Sequence, residues 1–253
     1  MRGTAKWVLI SIAGLITLVV VGVLLAPARV LTLLTQDVDG LTLRAVSGRL
    51  WNGTAEIRLR GHDLGEFEWS LRPKDLFDGE IGIDWSLEHV DYAVSGTGAV
   101  GAGSTSASAS GSVQGLAVSR FLEPYHIHIE GNFELDGLSI RVDYADGPTA
   151  ARGNLHWSGG RAMYRLSGQF HDAHLPAMTG TLDMADGDPE LRCATADEPV
   201  ALLTARLDRD GWVHIDVTKA LTVLAGYPWP GSHAGDEVVV TVSERLFTPA
   251  SAD

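Results

Sequence analysis

The stretch Glu66-Phe-Glu-Trp-Ser-Leu-Arg72, EFEWSLR, alternates Phe67, Trp69 and Leu71 with charged or polar residues. Successive side chains of a β-strand point to opposite faces, so a period of two gives one greasy and one wet face. The same period runs outward in both directions. Upstream, Ala55, Ile57 and Leu59 alternate with Thr54, Glu56 and Arg58; downstream, Ile81, Ile83, Trp85 and Leu87 do so with Glu80, Asp84 and Glu88. It returns at 127–135, 138–144, 155–157, 162–166, 203–207 and 213–217. One-sided strands of this kind belong to antiparallel sheets with one solvated face. The expectation is a mainly β chain.

Turn and helix signals divide the strands. Trp51-Asn-Gly53, within Val46–Ala55 (VSGRLWNGTA), reads as the end of one strand and the start of a turn. Asp136-Gly137 reads as a short turn, and Asp208-Arg-Asp-Gly211 as a hairpin. Pro73–Gly79 suits a single helical turn ended by its glycine. Ser119 is placed to cap a short turn that Pro124 stops, and Thr218–Ala225 reads as a short helix. The run Glu237–Val242 is β-branched and is expected to be central or well covered. Segment 96–112, GTGAVGAGSTSASASGS, has little to bury and a high conformational entropy. It is expected as a mobile loop and a soft boundary between two halves, the other reading being a thin strand pair. Trp69, Trp85 and Trp157 fall in phase with their apolar neighbours and are expected to face inward; a carbohydrate or lipid platform is the alternative.

Residues 7–26, WVLISIAGLITLVVVGVLLA, carry no charge. At helical rise they reach about 30 Å, the thickness of a bilayer core. Arg2 and Lys6 precede them, which predicts a cytoplasmic start at 1–6, a transmembrane helix at 7–26 and an exported body at 27–253. A cleaved signal peptide is the competing reading, with Ala26-Pro27-Ala28 as a loose cleavage site. The chain carries 19 basic and 32 acidic residues, net −13. Setting aside Arg2, Lys6 and Arg29 leaves 16 basic against 32 acidic, or −16 for the residues beyond Arg29. Such a surface repels nucleic acid and anionic headgroups. Cys193 is the sole cysteine, so no internal disulfide framework exists; a free thiol is expected, with an intermolecular disulfide as the alternative.

Gly96-Thr-Gly-Ala-Val-Gly101 matches G-x-G-x-x-G, but the residues after it are poor helix material, and the fingerprint needs a helix N-terminus for the pyrophosphate. No nucleotide site is expected. His126 and His128 share a face if they lie on a strand, and His171 and His174 form a looser pair in what reads as a loop near Pro176. Neither pair has a third ligand at convincing spacing, so no metal residues are assigned. Asn52-Gly-Thr54 fits an N-glycosylation sequon and overlaps the turn signal. No catalytic or cofactor-binding residues are assigned, and no cofactor or enzymatic activity is expected.

Three features together carry a family likeness: the basic start with one span, the element V-S-G-x-L-W-x-G-x-A at 46–55, and W-S-L-R-P-K-D-L-F-D-G-E-I at 69–81, continued by I-D-W-S-L at 83–87. The chain resembles protein N of the type II secretion system. The resemblance implies a single-pass inner-membrane protein with an antiparallel, curved β domain in the periplasm and one or two short helices. It further implies an accessory, non-enzymatic role, with contacts to the outer-membrane secretin or the inner-membrane assembly platform. Gly48, Trp51 and Gly53 in the matched motif read as determinants of the fold. The alternative is a membrane-anchored periplasmic protein that handles lipid in a β-groove; an anchored periplasmic enzyme is a third reading.

Overall fold

A computed structural model describes residues 28, 40–59, 61–166, 168–197 and 200–245. The expected span at 7–26 and its cytoplasmic flank lie outside them. Among the described residues no helix is long and apolar enough to cross a membrane. The chain forms two compact units, one of residues up to Arg72 with Ile83–His89, the other of Pro73–Gly82 and everything from Val90.

The first unit contains β1 (Leu41–Arg49), β2 (Asn52–Leu59), β3 (His62–Arg72) and residues 83–89 of β4 (Glu80–His89). β1, β2 and β3 form an antiparallel meander, with Arg49 opposite Asn52 and Asn52 opposite Ser70. Trp51 therefore sits in the two-residue turn, and Asn52-Gly53 open the next strand. This corrects the expectation that the strand ends at Trp51 and the turn follows. Phase, however, is as read: Trp69 is buried with Ala55 and Ala28, and Leu43, Val46 and Phe67 pack around them. Phe67 stacks on Trp69 at 6.0 Å and on Trp85 at 6.4 Å. The Trp69 indole N–H donates to the Leu50 carbonyl at 3.0 Å, giving the buried ring its polar partner.

The second unit begins with β5 (Tyr92–Gly101) and β6 (Ser104–Gln114), then α1 (Gly115–Leu122), β7 (Ile127–Ile129), β8 (Asn132–Asp143) and β9 (Gly147–Trp157). It continues through β10 (Gly160–Leu166), β11 (Gln169–Leu175), β12 (Met178–Ala185), β13 (Asp188–Thr195), β14 (Leu203–Leu207), β15 (Trp212–Thr218), α2 (Lys219–Leu224) and β16 (Val238–Arg245). Its main sheet runs β5-β6-β8-β9-β12-β13-β14-β15-β16. The chain leaves this sheet twice, between β6 and β8 and between β9 and β12. The two excursions pair into a three-stranded sheet, β11-β10-β7. Trp157 joins the layers: it packs with Ala162 and Leu175 of the small sheet and with Phe133 and Met178 beside it.

The segment 96–112 is not a loop. Its residues form β5 and β6, paired from Tyr92–Val113 to Val100–Thr105, and it lies inside the second unit rather than at a boundary. Small side chains hide the alternation without preventing pairing, and hydroxyls assist it: Thr97 and Ser108 meet across the strands at 2.8 Å. Asp136-Gly137 is not the expected short turn between two strands. β8 continues through it as a bulge, Asp136 opposite Asn154 and then Ser139 opposite Arg152, with Gly137 at φ 59°. By contrast Asp208–Gly211 does join β14 to β15, and the Asp75–Asp78 3-10 turn ends at Gly79 as read. β16 corrects another expectation. It pairs only with β15 among the described strands and is largely exposed, because β-branching favours an extended backbone irrespective of position in a sheet.

Ser119 is not a cap but lies inside α1, which starts at Gly115 and precedes a 3-10 turn at Glu123–Tyr125. Its buried hydroxyl accepts from the Ile129 N–H at 2.8 Å and lies 2.8 and 3.0 Å from the Gly115 and Ile129 carbonyls. Ser119→Ala should therefore destabilise the unit by about 1–3 kcal/mol, the usual cost of orphaning buried backbone groups. Urea unfolding checks this, and a change within error of zero would remove Ser119 from the joint.

Candidate protein interface

The two histidine pairs end up in different settings. His126 caps the 3-10 turn in a left-handed conformation (φ 56°), whereas His128 lies on β7, so they do not share a strand face. His171 and His174 lie on β11 rather than in a loop. His171 stacks on Tyr164 at 5.1 Å and meets Tyr227 edge-on at 5.4 Å, while the Tyr164 hydroxyl donates to the Ala225 carbonyl at 2.8 Å. This cluster holds the end of α2 on the small sheet. Among the described residues no three His, Cys, Asp or Glu side chains converge as metal ligands do. Gly96–Gly101 lies in the β5–β6 hairpin with a strand following it, and Asn52-Gly-Thr54 opens β2.

One chain of groups resembles a catalytic constellation and was not anticipated. His214 Nε2 lies 2.9 Å from Asp208 Oδ2, and His214 Nδ1 lies 2.7 Å from Ser243 Oγ. His214 and Ser243 are direct cross-strand partners on β15 and β16. Their backbone groups lie in the plane of that ladder, whereas an oxyanion hole needs N–H donors aimed at the space above the hydroxyl. The chain ties strand to strand, as does Thr241 Oγ1 donating to Asp216 at 2.6 Å.

Cys193 on β13 is a free thiol opposite Gly180 and Leu203. Burial pushes its pKa up to about 11 from an ordinary 9.0. The neutral thiol is thus favoured by folding, and its contribution to stability is full below pH 9 and is lost as pH rises through about 11. Two units of pKa leave about 100-fold less thiolate near pH 8, so iodoacetamide should alkylate the native protein at least that much more slowly than the urea-unfolded chain. Equal rates would place the thiol in solvent.

Two features of the second unit suit contact with another chain. The first is the outer edge of β16. The second is a groove of about 410 Å³ beside α1, lined by Leu116, Ile127, Met163 and Phe170, with Arg120, Glu123, His126 and His128 at its polar positions. Phe170 is 77% exposed, and Leu116, which also lines the groove, is exposed too. Exposed apolar groups gathered at one place mark an interaction site more often than singly scattered ones do. Sequence reading passed over this groove; the run of large apolar residues in Leu116–Ile129, too short for a buried helix, was the signal available.

A family model for type II secretion system protein N matches residues 39–227. The chain belongs to the type II secretion protein N family. The match spans β1 through α2, so both units carry the family pattern and the resemblance seen at 46–87 extends well past it. No curated protein and no solved structure matches the chain. Membership of the protein N family makes it a component of type II secretion in the bacterial envelope.

Proposed function

We propose that this protein is an accessory, single-pass inner-membrane component of the type II secretion system. Residues 7–26 anchor it, its β body stands in the periplasm, and it works through protein contacts rather than catalysis to help folded proteins leave through the outer-membrane secretin. The observation that carries this reading is the family match over 39–227. The uncharged run at 7–26 supports the anchor, and the β16 edge, which no second described strand covers, supports strand-to-strand docking with the secretin or the assembly platform. Deletion of the gene should sharply reduce exoprotein release, and crosslinkers placed on the body should capture other secretion components. Undiminished release after deletion would refute the reading.

A second reading has one observation behind it. Leu135, Leu155, Gly180, Cys193, Leu203 and Val217 lie opposite one another across six successive strands, on the face that Trp157 shares, and all but Gly180 are only half-buried. An apolar row of this kind suits acyl chains. Stoichiometric phospholipid or lipopolysaccharide co-purifying with the protein, with raised envelope permeability on deletion, would favour lipid handling.

A further inference from the structure

We infer that the apolar face of the main sheet is the interface of a symmetric dimer, in which a second copy of this chain packs its own face against it. Such a dimer goes beyond the secretion role and gives that face an occupant other than acyl chains.

The face lacks a cover. Among the described residues Leu175 and Leu202 are the only buried leucines, and no isoleucine, valine, phenylalanine or methionine is buried. A chain of this size normally encloses many such side chains. Two neighbouring rows on β9, β12, β13, β14 and β15 show where they stand instead. The first is Leu155, Gly180, Cys193, Leu203 and Val217; the second is Gly153, Leu182, Leu191, Ala205 and Ile215. Only Gly180 among them is buried.

Charge and side-chain size identify the occupant as a second copy. With 32 acidic against 19 basic residues, two copies repel each other over most of their surface. Neither row holds a charged residue, whereas the opposite face of the same strands carries Asp183, Arg192, Arg206 and Asp216. Self-repulsion is therefore least here. A twofold axis running across the strands, midway between the rows, turns one copy over and lays its second row on the other's first. Leu155 then faces the partner's Gly153, Gly180 the partner's Leu182, Cys193 the partner's Leu191 and Leu203 the partner's Ala205. In all four pairs the larger side chain meets the smaller, as interdigitating sheets require; on β15 Val217 and Ile215 are near equals. A face that is complementary to itself fits its own copy. The strands from β8 to β16, with the row at Met184 and Pro189 added, span about 34 by 20 Å, or about 700 Å². A standard interface takes about 800 Å² from each partner.

The test uses the full chain in vesicles of zwitterionic phosphatidylcholine, with a donor or an acceptor fluorophore fused at the carboxyl terminus. Energy transfer at increasing lipid dilution gives the dimer dissociation constant. Leu182→Glu should raise it by on the order of a hundredfold, by burying an unpaired carboxylate. Thr181→Glu, on the opposite face of β12, should leave it within about threefold. Ala205→Leu alone sets leucine against the partner's Leu203 and should raise it about tenfold. Adding Leu203→Ala exchanges knob and hole and should bring it back to within about threefold of the original. A chain that had failed to fold would not be rescued by that second change. Absence of transfer at every density, indifference to Leu182→Glu, or a double variant no better than Ala205→Leu alone overturns the dimer. Stoichiometric phospholipid on the detergent-purified protein, lost in Leu182→Glu, also overturns it and gives the face to acyl chains.

Discussion

Trp157→Ala should lower the stability of the second unit by about 3–5 kcal/mol, the range for removing a large buried aromatic side chain. The ring is 8% exposed, stacks on Phe133 at 5.8 Å and fills the space between the main sheet and Ala162 and Leu175. Its N–H donates to the Glu130 carbonyl at 2.9 Å, just where the chain passes from β7 to β8. Trp157→Phe separates the two contributions. It keeps most of the packing and orphans that carbonyl, so about 1–3 kcal/mol is expected. Hydrogen exchange should show β7, β10 and β11 losing protection first in Trp157→Ala, because their apolar contact with the main sheet runs through this ring. Uniform loss, or a midpoint no lower than that of Trp157→Phe, would show that the layers are held elsewhere.

Trp69→Ala should have an effect of similar size in the first unit, again about 3–5 kcal/mol. Its ring, 5% exposed, lies against the bare backbone of Gly53: a Cβ on that residue would stand 2.7 Å from the ring carbon Cζ2 and 2.4 Å from the Ser47 carbonyl oxygen. Gly53→Ala is thus expected to cost about 1–3 kcal/mol by overpacking. In the Trp69→Ala background that cost should shrink, since one of the two obstacles is gone, giving a coupling of about 0.5–3 kcal/mol between contacting residues. Strict additivity would show that Gly53 is retained for the Ser47 contact alone. Trp51→Ala should destabilise less than Trp69→Ala, because Trp51 is a half-buried turn residue whose carbonyl accepts from Leu71 N–H whatever its side chain. The same urea titrations rank the three.

Gly53 shows why the family element at 46–55 was legible as fold and not as site. Its glycine is there for close approach to an aromatic ring, which a sequence reader sees only as turn propensity. Asp136-Gly137 and Asp208–Gly211 carry the same local signal, an acidic residue leading to a glycine that takes a positive φ. One is a bulge and the other a hairpin, because β8 has partners on both sides through residue 143 and β14 does not continue past Leu207. The segment 96–112 misled for a related reason: alanine, serine and glycine give almost no contrast between faces, so hydropathy is silent about a pairing made by backbone hydrogen bonds. The groove beside α1 was invisible because its walls come from three places in the chain and meet only when the small sheet forms.

What the sequence determined by itself was a mainly β chain and the phase of those runs that visibly alternate, and with it which tryptophans turn inward. Those properties are local: alternate side chains must point to opposite faces of an extended backbone. Through the elements at 46–55 and 69–87 it also pointed to the protein N family. Tertiary structure alone decided the strand order, the folding of two excursions into a second layer and the exposed position of β16. Each of these depends on which distant segment supplies the next hydrogen-bonding partner, and no residue encodes that in its own neighbourhood.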